Sequence, residues 1–189
     1  MNKYLRGICA GALFLTTSIM VGCTDSDLNY NEDVPNVAEN IQVQDKFPKF
    51  SAQDVNGQNV TNDIFAQKKL TVLNIWGTFC PPCIGEMPEL GEWARDMSSD
   101  VQLIGIVCDV RGNNDSETIE SAKEILSDSN AEFLNIVPNA EINQYLQNVE
   151  AVPTTIFINS QGEIVGNPII GADVEGYKNF VEEYLNANN

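Results

Sequence analysis

Three features of the sequence predict an α/β domain with a central mixed β-sheet flanked by helices. Two nearly continuous apolar runs rich in β-branched residues, 70–76 and 101–110, have the pattern of strands buried on both faces. Segments with apolar residues recurring at three and four follow them, and strands alternating with helices imply right-handed crossovers and a parallel core. Ahead of these, the pair Asn56-Gly57 between two strand-like runs marks an N-terminal β-hairpin extension.

Taken in order, residues 1–22 read as an export signal. Lys3 and Arg6 give a basic start without an acid, and 8–21 is a mostly apolar run, too short for the roughly 20 residues of a spanning helix. The run closes on Met20-Val21-Gly22-Cys23, which resembles a bacterial lipobox. Cys23 is then the lipidated first residue of a lipoprotein held at the bilayer, with simple cleavage at a nearby small residue as the plainer alternative. Residues 23–44 are rich in Asp, Asn and Glu and read as a flexible acidic tether, spanning roughly 25 Å as a coil. The domain is expected over 45–187.

Within the domain, 47–55 and 58–60 flank Asn56-Gly57, a pair suited to the positive φ angles of a type I′ turn. Strand 70–76 hands over to a helix over 81–97, with proline at its start and Ile84, Met87, Leu90, Trp93, Ala94 and Met97 on one face. Pro88 should kink that helix. Strand 101–110 precedes a helix over 117–127, a strand over 133–137 and a short helix over 141–147. Segments 154–158 and 162–165 read as an antiparallel pair, and 174–185 closes the chain as an amphipathic helix.

Composition excludes several classes of function. With 10 Lys and Arg against 27 Asp and Glu, the chain carries a formal net charge of −17 and repels a phosphate backbone, so nucleic acid is not an expected partner. The absence of histidine removes Ser/His and Cys/His nucleophile pairs, imidazole zinc sites and C-x-x-C-H haem attachment together.

The chemistry concentrates at Trp76-Gly-Thr-Phe-Cys80-Pro81-Pro82-Cys83. A cysteine pair where a buried strand meets a helix puts the first sulfur at the positive end of the helix dipole, which favours a thiolate. Free thiols near pKa 8.5 fall to between about 3.5 and 7.5 in such motifs, so Cys80 is the candidate nucleophile and Cys83 the group that resolves the mixed disulfide. Trp76 and Phe79 would shield the pair. Half a zinc site and a purely structural disulfide are the alternatives. The first lacks ligands, since Cys108 is the one other thiol in the domain, and the second would close too short a loop to restrain the unfolded chain. Glu86 should lie one turn beyond Cys83 on the same face, as a tuning acid or a solvated carboxylate. Cys108 reads as a small apolar residue in the sheet.

The run W-G-T-F-C-P-P-C-I-G-E-M-P-E-L, followed about seventy residues later by Ala151-Val-Pro153-Thr-Thr-Ile-Phe-Ile, resembles the thioredoxin-like thiol–disulfide oxidoreductases of the TlpA/ResA group, relatives of the AhpC/TSA redoxins. The resemblance covers about 47–185. It implies a thioredoxin-like fold on the outer side of a membrane and reduction of client-protein disulfides, apocytochrome c among them. A membrane thiol carrier would supply electrons, and no cofactor or metal is implied beyond the Cys80–Cys83 disulfide. By the same resemblance Pro153 follows a cis peptide packed over the sulfurs, Glu86 relays protons, and Trp76, Phe79, Pro81, Pro82, Val152 and Thr154 surround the client. One departure stands out. Thioredoxins carry a buried Asp two residues before the Trp, and here Asn74 holds that place, leaving proton relay to Glu86 or water. Oxidase or isomerase action, a peroxidase, for which Gly77 stands where a Thr or Ser is required, and a docking module without turnover are the other readings.

Overall fold

The structure, a computed structural model, describes residues 43–188. The export signal, Cys23 and the tether as far as residue 42 lie outside the described residues. The elements in chain order are β1 (Val43–Lys46), β2 (Ser51–Asp54), β3 (Asn59–Thr61), a 3-10 segment (Asn62–Gln67), β4 (Leu70–Trp76), α1 (Pro81–Asp96), β5 (Val101–Val107), α2 (Ser116–Asp128), β6 (Leu134–Val137), α3 (Ala140–Leu146), β7 (Thr154–Asn159), β8 (Glu163–Ile170) and α4 (Val174–Ala187). The strands form one mixed sheet in the order β1-β8-β7-β4-β5-β6-β2-β3. β4, β5 and β6 pair in parallel and every other neighbour is antiparallel.

All seven residues of β4 are buried, as the continuous apolar run requires. Val72 and Trp76 point into a core with Met87 and Leu90 of α1, Ala122 and Leu126 of α2, and Tyr177 and Val181 of α4. Leu73 and Ile75 point the other way, into a core with Phe65 and with Ile142 of α3. The alternation of strand side chains thus gives one helix layer to each face. It also carries the end of β4 to the start of α1 at one pole of the sheet.

Four expectations need correction. The hairpin turn is not type I′: Gly57 has φ +80°, but Asn56 does not share the left-handed region. The Gly57 N–H donates to the Asp54 carbonyl at 2.9 Å, and Asp54 Oδ1 accepts the N–H groups of Asn56 (2.9 Å) and Gln58 (2.8 Å). The carboxylate wraps the chain into a type I turn followed by a left-handed glycine. The first hairpin strand begins at Ser51, because Phe47 and Phe50 leave the ladder to pack edge-on against each other and against Phe65. Val43 and Gln44, assigned to the tether, are strand, paired with β8 through Val43↔Val165 and Lys46↔Glu163. Strand β8 runs to Ile170, well past 165, despite Gly166 and Pro168. Ile169 and Ile170 pair with Thr155 and Thr154 of β7, and that pairing carries the strand through both turn-forming residues. α1 continues through Pro88 without a break.

Candidate active site

At the top of β4 the loop to α1 is pinned from the end of β5: Asp109 accepts the backbone N–H of Thr78 (3.1 Å) and its hydroxyl (2.6 Å). Cys80 caps α1, and its Sγ accepts the Cys83 N–H at 3.2 Å. Pro81 and Pro82 occupy the first helical positions and have no N–H to offer, so one backbone donor reaches the sulfur where a helix start ordinarily presents several. Cys80 and Cys83 form a disulfide with Cα atoms 5.3 Å apart. Cys80 is 5% exposed and Cys83 0%, so only Cys80 is open to attack.

The Val152–Pro153 peptide is cis, and the Val152 carbonyl oxygen lies 3.5 Å from Cys80 Sγ. The Gly171 N–H donates to the Pro153 carbonyl (2.8 Å), tying this loop to the end of β8. Phe79, 67% exposed, stands on one side of Cys80, with Pro81 and Pro82 also exposed. Ile170, 61% exposed, pairs across the ladder with Thr154, the residue after cis Pro153. Ile170 was missed; the signal was an apolar pair, Ile169-Ile170, just before Gly171 at what looked like a loop.

Two expected client contacts are corrected. Trp76 is fully buried, its indole N–H donating to Asn135 Oδ1 at 2.8 Å beneath Gly105, where a β-carbon would clash with Asn135. Thr154 is buried as well, and its hydroxyl donates to the Ala151 carbonyl at 2.7 Å. Trp76 lies wholly inside, and the Thr154 hydroxyl is turned back onto its own loop.

Beneath the disulfide lies a closed polar cluster. Glu86 is 5% exposed. Burial pushes its carboxyl up to about 7, against the opposing hydrogen bond from Asn74 Nδ2 to Oε1 (2.9 Å). The same amide donates to Thr155 Oγ1 (3.0 Å). Glu86 Oε2 lies 3.1 Å from Tyr177 Oη. Tyr177 was not singled out in the sequence; it falls in line with Val174 and Val181 on the buried face of α4. A phenol in such a stripe needs a polar partner, and that was the available signal. Cys108 is a free, half-buried thiol pushed up to about 11 by burial and by Asp109. Among the described residues no group of three or more His, Cys, Asp or Glu could hold a metal ion.

A cysteine pair at a helix start, an adjoining cis-proline loop and this sheet order together define a thioredoxin-like thiol–disulfide oxidoreductase, whose redox group is the Cys80–Cys83 disulfide. The Redoxin family matches residues 42–179, and the chain belongs to that family. It is 28% identical over 149 residues to the thiol-disulfide oxidoreductase ResA of Bacillus anthracis, covering 78% of this chain and 79% of the relative. The sporulation thiol-disulfide oxidoreductase A of Bacillus subtilis is 23% identical over 150 residues, covering 79% and 88%. In fold, the chain resembles the thioredoxin domain of a thiol-disulfide oxidoreductase from Bacteroides vulgatus (TM-score 0.60, 18% identity, 76% and 97% covered). StoA from Bacillus subtilis is similar too (TM-score 0.56, 21% identity, 70% and 96% covered).

Proposed function

We propose that this enzyme reduces disulfides of client proteins outside the cytoplasmic membrane, tethered by lipid on Cys23. Apocytochrome c is a candidate client and an integral-membrane thiol carrier the electron source. The observation that carries the direction of transfer is the proline pair at the start of α1. Strongly oxidising dithiol proteins owe their potential to a stabilised reduced form. Here a single backbone N–H reaches Cys80 Sγ, so the thiolate is held less tightly and the couple leans toward reductant.

In this reading the Cys80 thiolate attacks one client sulfur, and the other leaves as a thiolate that takes a proton from solvent. Cys83 passes its proton to the Glu86 carboxylate and attacks Cys80 Sγ, expelling the second client sulfur. Two electrons have moved to the client, and the Cys80–Cys83 disulfide remains. The carrier's dithiol reverses the sequence: its thiolate attacks Cys80, Cys83 leaves and recovers the proton from Glu86, and the carrier ends oxidised. The Val152 carbonyl and the apolar rim of Phe79, Pro81, Pro82 and Ile170 hold the client's extended chain over Cys80.

Cys83→Ala in producing cells should trap client proteins as mixed disulfides on Cys80, with Cys80→Ala trapping none. The measured potential should lie below roughly −200 mV, on the thioredoxin side of the range. No adducts from Cys83→Ala would contradict client exchange, and a potential near −120 mV would contradict reduction.

A further inference from the structure

Tyr177 Oη is approached by four groups, one of them the Thr155 side chain, whose hydrogen bond favours the ionised phenol and so counts Thr155 as a donor. It stands 2.7 Å from the Gly171 carbonyl oxygen, 3.3 Å from the Asp173 backbone nitrogen and 3.1 Å from Glu86 Oε2. A carbonyl can only accept and a backbone N–H can only donate, whereas a phenol has one hydrogen. The shorter contact is with the carbonyl, which has no other way to make that bond, so the phenol hydrogen belongs to Gly171. What remains toward Glu86 is a lone pair. A carboxylate oxygen facing a lone pair is repelled, but a carboxylic acid makes a hydrogen bond there. Asn74 spends both hydrogens of its amide, one on Thr155 and one on Glu86 Oε1; the latter bond favours the ionised acid, and burial outweighs it.

We infer that Tyr177 is a positioning residue that holds Glu86 in its protonated form while the disulfide is oxidised, and that it ties this acid to the client-facing rim through Gly171. The tie is continuous: Gly171 donates to the carbonyl of cis Pro153, follows exposed Ile170, and accepts from Tyr177, which faces Glu86. The inference rests on the proposed role of Glu86 as the store for the Cys83 proton, and it names the state of that store in the disulfide form: loaded. The titratable and charged groups facing Glu86 are few. α4 contributes Tyr177, whose own hydroxyl is kept neutral by burial, and Lys178, already paired with Glu89 at 2.7 Å; α1 contributes Glu89 and the disulfide of Cys83; β4 and β7 contribute the uncharged Asn74 and Thr155.

The test is the titration of Glu86 in the oxidised protein, followed by carboxyl carbon NMR in wild type and Tyr177→Phe. The wild-type carboxyl should remain protonated at pH 6. Loss of the acceptor should move the Tyr177→Phe midpoint down by roughly half a unit to one unit, the worth of one neutral hydrogen bond. An upward move would show that the phenol donates to a carboxylate, an unchanged midpoint would leave Tyr177 a packing residue, and either overturns the inference. Should the variant fail to fold, a wild-type Glu86 already ionised at pH 6 overturns it as well. The role of Glu86 fails separately: Glu86→Gln would then leave the pH profile of client reduction unchanged, whatever Tyr177→Phe does to the titration.

Discussion

Burial holds Glu86 near pKa 7 against an ordinary 4.5, so the folded protein keeps a proton there that the unfolded chain releases. A raised acid contributes stability that is fully present below pH 4.5 and is lost as pH rises through 7. The shift corresponds to about 3 kcal/mol. Denaturant unfolding of the oxidised domain should therefore show wild type losing up to about 3 kcal/mol relative to Glu86→Gln between pH 4.5 and 8. A difference that stays flat with pH would place the carboxyl in water. At this scale the sequence was legible wherever residues act as neighbours in a motif: Cys80, Cys83 and Glu86 are spaced by helical turns, and Pro153 by family position. Tyr177 was not, because it meets Glu86 across 91 residues of chain, a distance no local pattern encodes. Trp76 was misassigned for a related reason: its place in the motif is local, but its indole N–H is taken up by Asn135, 59 residues further along the chain.

Among the elements, the start of α1 shows how sequence sets chemistry. Two prolines preorganise the first turn and remove two donors from it, so the helix keeps its dipole but cradles the sulfur with a single N–H. The β2–β3 turn offers a parallel case in stability. Asp54 is buried, and one of its oxygens accepts two backbone N–H groups. Asp54→Ala should cost about 1–3 kcal/mol through the loss of those bonds, read as a lower urea midpoint with unchanged slope; no loss would mean that Gly57 alone holds the turn. Long apolar runs such as β4 and β5 and the amphipathic stripe of α1 were readable, since one period dominates each. The far half of β8 was not, because Gly166 and Pro168 are turn residues by composition and their strand geometry comes from the pairing of Ile169 and Ile170 with β7. The 3-10 segment, held by Thr61 and filled by Phe65, carried no periodic signal.

For the molecule as a whole, alternating strands and helices foretold the parallel β4–β5–β6 core, and the cysteine motif placed the site at its upper pole. Strand pairings that join distant stretches, such as Gln53↔Val137 and Val43↔Val165, were not foretold, since nothing local specifies which edge a hairpin or an entering strand will cover. The sheet these pairings complete holds the cis-proline loop against Cys80 and seals Cys83, and the central claim is that this arrangement makes the pair one reversible two-electron couple. The most direct measurement is equilibration of the purified protein against graded dithiol/disulfide buffers, with thiols counted by alkylation and intact mass. The account predicts that Cys80 and Cys83 change state together in a single transition, shifting about 30 mV per tenfold change in the ratio. Two independent one-thiol transitions, or a pair that no buffer reduces, would contradict it.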